Sequence, residues 1–180
     1  MATEKVYPEL LVEYFEFCKL RQESMRNRKL NLSEATWLYP TKLLPLFAFI
    51  EQHKEQTSIQ KPKDANAAAY LSAILDKKVP SLTDEGASYI PIVVLPKKRN
   101  EANFVIERLQ KLCDEGKGIG GLSSFSYFLS EMVDNIYDHS HFSHAYVFAQ
   151  IYRKKNFSEI SILDDGVSIP GSYRKAGKTF

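Results

Sequence analysis

The chain has 180 residues, of which 44% are hydrophobic and 26% are charged, and its formal net charge is +2. This length suits one globular domain or two small ones, and the even spread of basic and acidic residues argues against sequence-independent binding of nucleic acid. No apolar run approaches the ~20 residues that span a bilayer, and the N-terminal residues lack the layout of a signal peptide. The two cysteines, Cys18 and Cys113, make no disulfide framework. We therefore expect a cytoplasmic protein that binds neither nucleic acid nor membranes.

The first half of the chain alternates between helical and extended patterns. Residues 8–24 place apolar side chains at helical spacing, and residues 28–33 predict a short strand. Thr41 can cap the helix that follows, and Asp64 can cap a third helix after a second short strand at 57–62.

A boundary between two modules is expected at residues 79–89, where proline, glycine and charged residues occur without periodicity. Beyond it the pattern predicts, in chain order, a strand, two helices, two strands and a loop: 90–96, 100–114, 123–139, 145–152, 158–163 and 164–171. Because helices and strands alternate along the chain, the fold class is predicted to be α/β or α+β.

The helix at 123–139 has the clearest apolar periodicity in the sequence. Six residues follow the helical series: Phe125, Phe128, Leu129, Met132, Val133 and Ile136. We expect Phe128, Met132 and Ile136 to face a sheet made from the strands of this half.

The other face of the same helix carries Glu131 and Asn135, which lie one above the other because they are four residues apart. Such a carboxylate can deprotonate a water molecule, and such an amide oxygen can ligate magnesium. A solvated helix face is the alternative. The strand that ends at Asp164 could offer a carboxylate to a purine amino group, and Gly166 would allow close approach of the backbone.

The segment LSEMVDNIYDHS, followed by two strands and by ILDDGVSIPG, resembles the nucleotide-binding region of the GHKL ATPases. This superfamily holds gyrase-type topoisomerase subunits, heat-shock chaperone ATPases, sensor histidine kinases and the mismatch-repair ATPase. The E-x-x-x-N box of the family matches Glu131 and Asn135. Its D-x-G-x-G box matches Asp164 and Gly166, with Ser168 in place of the second glycine.

The resemblance covers about residues 90–180 and implies a GHKL-type α+β sandwich with ATP and Mg²⁺ as cofactors. It implies that Glu131 activates water and that Asn135 ligates the magnesium ion. It also implies that Asp164 accepts the adenine amino group and that Gly166 and Ser168 belong to the nucleotide loop. The family's lid over the phosphates and its later glycine-rich box have no counterpart in the 180 residues. We therefore expect a fragment or a shortened relative of an ATPase or protein kinase.

The segment KLNLSEATWLYPTKLLPLFAFI resembles part of a STAS-like domain, the fold of anti-sigma-factor antagonists. In those antagonists a GHKL kinase phosphorylates a serine at the start of a helix. Thr41 falls near that position, although Tyr39 and Pro40 stand where an aspartate and a serine are expected, so phosphorylation is the alternative to a helix cap. The resemblance assigns residues 1–78 to a STAS-like α/β module and implies a protein partner, with a homodimer as a further expectation.

Two other patterns allow weaker interpretations. The glycines of GKGIGG (116–121) fit a dinucleotide-binding motif in spacing only, because a predicted helix precedes them, and a flexible connection is the alternative. His139, His141 and His144 could bind zinc, or they could belong to a helix end and loop. The sequence thus favours an ATP-binding regulatory protein, and a noncatalytic protein-interaction module is the alternative.

Overall fold

The computed structural model describes residues 6–75, 89–115, 122–155, 157–167 and 169–177. The chain divides into two compact units, residues 1–80 and residues 81–180. The predicted linker at 79–89 falls almost wholly outside the described residues, and so do the glycines at 116–121. Among the described residues, no helix combines the length and the apolar character needed to cross a membrane.

The N-terminal unit is built from three helices and two short strands: α1 (Val6–Asn27), β1 (Lys29–Asn31), α2 (Pro40–His53), β2 (Ser58–Gln60) and α3 (Ala65–Leu75). β1 and β2 pair in parallel, with Leu30 opposite Ile59. Because parallel strands need a crossover connection, β1, α2 and β2 form a β–α–β unit. α1 packs against α2 and β1.

The two helix caps predicted in this unit have different outcomes. Asp64 is confirmed as a cap, because its Oδ1 accepts a hydrogen bond of 2.8 Å from the backbone N–H of Ala67. The prediction for Thr41 is wrong, because α2 begins one residue earlier, at Pro40. Tyr39 occupies the cap position without a side-chain hydrogen bond. A proline in the first helical position is already fixed at a helical φ, so the helix starts there.

The C-terminal unit contains an antiparallel sheet in the order β3-β4-β5 (Tyr89–Val94, Ala145–Tyr152 and Phe157–Asp164). α4 (Asn103–Glu115) follows a 3₁₀ turn at Arg99–Ala102, and α5 (Leu122–Asn135) continues into a π-helical turn at Ile136–Ser140. α6 (Ile169–Lys175) lies partly within the segment that the sequence predicted as a loop. Both units mix helices and strands, so the predicted α+β class is confirmed.

The core of the C-terminal unit forms where α4 and α5 meet one face of this sheet. Alternate residues of β4 point into it, because successive side chains of a strand point to opposite faces. Its principal members come from the sheet and the two helices: Ile90, Val105, Ile106, Leu109, Leu129, Val133, Ile136, Ala145, Val147, Ala149 and Ile151. Val105, Ile106 and Leu109 form the inward face of α4.

The face of α5 that packs on the sheet differs from the predicted one. Ile136 is buried as expected, but Phe128 is 60% exposed and Met132 is 37% exposed. Leu129 and Val133 are 2% and 1% exposed and take the central positions instead. The apolar stripe in the sequence is wider than the face that one sheet can cover, so its edge stays outside the core.

Candidate functional site

A cavity of about 300 Å³ lies in the C-terminal unit where the end of α5, the π-helical turn and the end of β5 come together. The described residues that line it are Met132, Asn135, Ile136, His139, Ser140, Ile162, Asp164 and Val167. The structure therefore brings Asn135 and Asp164, which are far apart in the sequence, to the same cavity.

Asp164 lies at the end of β5 with only one of its carboxylate oxygens engaged. Its Oδ1 accepts a hydrogen bond of 2.9 Å from the backbone N–H of Gly166. The described part of the chain offers no hydrogen-bond donor to the other oxygen, Oδ2. That oxygen can accept a hydrogen bond from a ligand without giving up one made within the protein.

Asn135 is exposed at the last position of α5, and its amide makes no hydrogen bond to the described residues. An amide group in this state can both donate and accept hydrogen bonds toward a ligand. Glu131, one turn earlier, is exposed and is not among the residues lining the cavity. The structure thus places Asn135 at the cavity and leaves Glu131 out of its lining, and a role for Glu131 as a base stays a prediction.

Gly166 is required by the packing of the protein itself. A Cβ atom built on this residue would lie 2.1 Å from the backbone oxygen of Ser140, far inside van der Waals contact. The next residue, Val167, donates its backbone N–H to the same oxygen at 2.6 Å. The glycine therefore lets the chain after β5 close against the π-helical turn. Ser168 lies outside the described residues.

The π-helical turn at Ile136–Ser140 is a feature that the sequence did not indicate. Ser140 donates its hydroxyl to the backbone oxygen of Ile136 at 2.8 Å, and His141 ends the turn with a φ of 52°. Such turns occur often at functional sites. Here the turn brings His139 and Ser140 to the cavity wall, and sequence reasoning assigned neither of them to the nucleotide site.

Asp165 stabilises the loop that follows the π-helical turn. Its Oδ1 accepts hydrogen bonds of 2.7 Å from the backbone N–H groups of both Ser143 and His144, and its Oδ2 lies 2.9 Å from Nδ1 of His144. Partial burial raises the pKa of Asp165, but the hydrogen bonds from the backbone and ring of His144 and from Ser143 outweigh it. The pKa consequently lies below its ordinary value of 3.8.

The engagement of His144 with Asp165 also bears on the zinc interpretation. Within the described ranges, which include all of residues 138–144, no group of three His, Cys, Asp or Glu side chains lies close enough to hold a metal ion. The histidines belong to a helix end and a loop, as the alternative interpretation predicted.

Two contacts fix the orientation of α5 behind the cavity. Asp134 accepts a hydrogen bond from Arg99 in the 3₁₀ turn, and the Tyr137 hydroxyl donates to the backbone oxygen of Pro96. Burial raises the pKa of Tyr137 above its ordinary value, so the phenol remains a donor. With Asp134 and Tyr137 held in this way, Asn135 between them is left facing the cavity.

A second cavity, of about 400 Å³, lies in the N-terminal unit beside the charged side chains Glu16 and Lys42. Lys42 is 7% exposed and forms ion pairs with Glu16 and, at 3.7 Å, with Glu13. These charges compensate each other within the unit, and such pairing is what a buried charge requires. The cavity of the C-terminal unit is therefore the better candidate for a ligand.

Comparisons with protein-family models, with curated proteins and with solved structures found no match to this chain. The chemistry of the cavity must therefore be judged from its own residues. Met132, Ile136, Ile162 and Val167 give it apolar walls. Apolar walls with a few convergent polar groups are typical of small-molecule sites, and about 300 Å³ lies at the lower end of their size range.

Proposed function

We propose that this protein is an ATP-binding regulatory protein of the GHKL type and that the cavity in its C-terminal unit receives the adenine base. The observation that carries the proposal is that Asn135 and Asp164 line one apolar-walled cavity. The exocyclic amino group of adenine would donate to Oδ2 of Asp164, and the faces of the base would contact apolar side chains such as Ile162. A charge-assisted hydrogen bond of this kind is stronger than a neutral one.

The donor chemistry of Asn135 also fits magnesium. Mg²⁺ in nucleotide sites is held by one or two protein oxygens, and the phosphates and water supply the remaining ligands. The Asn135 amide would be such an oxygen, and no dedicated cluster of carboxylates is needed. When bound, the ion would neutralise phosphate charge. Glu131 would then activate the nucleophile for hydrolysis or for phosphoryl transfer to a protein partner.

The lining of the cavity also bears on the expected affinity. No lysine or arginine occurs among the described residues that line it, so the phosphates find no cationic partner there. We therefore expect ATP and ADP to bind about equally, with Kd values of ~0.1–1 mM. Adenine recognition would supply most of the binding free energy.

Isothermal titration tests the proposal with matched ligands and variants. Asp164→Asn should abolish ADP binding, because the amide loses the charge and can present a donor to the amino group. Inosine diphosphate, in which a carbonyl replaces the amino group, should fail to bind the parent protein for the same reason. Glu131→Gln should leave the affinity nearly unchanged, since a water-activating base acts in the transition state.

Asp138→Asn is the control, because Asp138 is an exposed carboxylate of the π-helical turn that does not line the cavity. Binding of ADP that survives Asp164→Asn, or equal binding of inosine diphosphate, would exclude this adenine site. Micromolar affinity with a strong preference for ATP would show that the chain holds the phosphates through other residues.

A noncatalytic protein-interaction module is the second candidate function. It is favoured by the exposed aromatic side chains of α5, Tyr127 at 68% and Phe128 at 60%. Large exposed apolar side chains that lie together are typical of interaction surfaces. A chain that binds no nucleotide in the titration above would support this function instead.

A further inference from the structure

The cavity of the N-terminal unit has some charged residues that are paired within the protein and others that are not. It measures about 400 Å³ and is lined by α1, by the loop that follows β1 and by Lys42 in the first turn of α2. Lys42 is paired with Glu16 of the same lining. Glu34, which also lines the cavity, is paired with Lys63 at 2.6 Å. These four charges are therefore compensated within the unit.

Two other charged residues of the lining, Lys19 and Glu23, have no such partner. They lie one turn apart on α1 and share the helix face that lines the cavity. Both are exposed, and their side chains make no hydrogen bond or ion pair to each other or to any other residue in the described part of the chain. The cavity therefore presents an unpaired cation and an unpaired anion, separated by a helical rise of about 6 Å.

The loop after β1 is held in place by backbone hydrogen bonds. Leu32 donates its backbone N–H to the oxygen of Gln60 at 2.9 Å, and Ala35 donates to the oxygen of Leu32 at 3.0 Å. The backbone N–H of Ser33 donates to Oδ1 of Asn31 at 3.1 Å. The amide nitrogen of Asn31 has no acceptor among the described residues, so it can donate to a ligand.

The remaining part of the lining is apolar, and the cavity lies where ligands often bind in folds of this kind. Leu20, Leu32 and Ala35 contribute the apolar side chains. The loop follows the carboxyl end of β1, which pairs in parallel with β2. Ligands of parallel α/β sheets bind outside the carboxyl ends of the strands. Apolar walls with a few polar groups are typical of small-molecule sites.

We propose that this cavity binds a free α-amino acid with an aliphatic side chain. The carboxylate of the ligand accepts hydrogen bonds from Lys19 and from the amide nitrogen of Asn31, and its ammonium group donates to Glu23. The aliphatic side chain contacts Leu20 and Leu32. Both charged groups of an α-amino acid are bonded to one carbon atom, so they can reach two flexible side chains that lie one helical turn apart.

A zwitterion fits Lys19 and Glu23 better than an ion of a single sign does. Glu23 would repel an anion that approached Lys19, and Lys19 would repel a cation that approached Glu23. Because both side chains are exposed, water and salt weaken the contacts, and we expect a Kd of ~1 mM for leucine. The N-terminal unit alone supplies this site, so leucine binding does not depend on the nucleotide function proposed above.

Saturation-transfer NMR with the full chain tests the ligand class. Leucine should bind, whereas 4-methylpentanoate, which lacks the ammonium group, should bind at least about 10-fold more weakly. The same loss is expected for 3-methylbutylamine, which lacks the carboxylate. Absence of leucine binding at about 10 mM overturns the proposal. Either analogue binding as tightly as leucine also overturns it, because one of the two charged contacts would then be absent.

Variants of the two unpaired residues test the location of the site. Lys19→Gln and Glu23→Gln should each weaken leucine binding by about 10-fold or more. Lys54→Gln and Glu55→Gln are the matched controls, because both residues are exposed in the same unit and do not line the cavity. The controls should bind leucine as the parent does, and circular dichroism should show the same helix content for all four variants. Equal weakening by the controls, or unchanged binding by the Lys19 and Glu23 variants, overturns the proposal.

Discussion

Lys42 in the N-terminal unit and Asp164 in the C-terminal unit are both charged residues beside a cavity, but they differ in how their charges are satisfied. Lys42 is nearly buried and pairs with Glu13 and Glu16 from α1. Asp164 receives one hydrogen bond, from Gly166, and the described residues leave its second oxygen without a donor. The charge of Lys42 is thus compensated within the protein, whereas one oxygen of Asp164 could still accept a hydrogen bond.

Asp164 and Asp165, which are adjacent in the sequence, also differ in how their carboxylates are hydrogen-bonded. Asp165 is engaged by the backbone of Ser143 and by the backbone and ring of His144, so both of its oxygens serve the fold. Asp164 has one oxygen without a donor among the described residues, and its side chain is part of the cavity lining. Residue type therefore does not separate these two aspartates, but the count of their hydrogen bonds does.

The largest expected effect concerns the core on which the cavity is built. Leu129→Ala should lower the free energy of unfolding by about 2–5 kcal/mol, because Leu129 is fully buried between α5 and the sheet. Phe128→Ala should cost less than about 1 kcal/mol, since its ring is mostly exposed. Urea unfolding of the two variants measures both values. A larger loss for Phe128→Ala would mean that α5 is rotated relative to the face described above.

The second prediction compares a buried ion pair with an exposed one in the N-terminal unit. Lys42→Ala should cost about 1–3 kcal/mol, because Glu13 and Glu16 keep their charges in a partly buried place without their cation. Glu16 is half exposed, and solvent keeps the loss below that of a fully buried pair.

Lys63→Ala is the matched control in the same unit, because the Lys63–Glu34 pair lies in solvent, with side chains 72% and 81% exposed. The control should leave the midpoint of the same urea titration nearly unchanged. Equal losses for the two variants would show that the pairing of Lys42 is no more important to the unit than a surface contact.

The smallest predicted effect is the pH dependence that arises from Asp165. Its pKa is lower in the folded chain than its ordinary value of 3.8, so its stabilising contribution is complete above that value. The contribution is lost as the pH falls below 3.8 toward the lowered pKa. The stability difference between the parent chain and Asp165→Asn should therefore be larger at pH 5 than at pH 3, and it should shrink below about pH 4. Urea unfolding across this range, with Asp138→Asn as the exposed control, measures it. A difference that grows toward low pH would contradict the assigned hydrogen bonds.

Much of the element order could be predicted from local patterns alone. The strand patterns of 145–152 and 158–163, the helical periodicity of 100–114 and the cap at Asp64 each depend on residues close together in the chain. Such patterns report the backbone conformation of a segment and which of its faces is apolar. They determined the strands of the C-terminal sheet and the helices that cover it.

Only some residues of the candidate site could be predicted from the sequence. Asn135 and Asp164 were identified through short motifs, and both line the cavity. His139 and Ser140 were missed as lining residues because a π-helical turn has no recognisable local pattern. The need for Gly166 came from the backbone of Ser140, a contact between segments separated by a whole β-hairpin.

The sequence by itself determined most of the segments of this protein that become helices and strands, and which polar residues are candidates for a site. Only the tertiary structure decided that Leu129 rather than Phe128 enters the core, that both oxygens of Asp165 are used by the fold, and that one oxygen of Asp164 has no donor among the described residues. The physical reason is that periodicity records the conformation of a segment, whereas burial and hydrogen-bond pairing depend on which distant segments meet it.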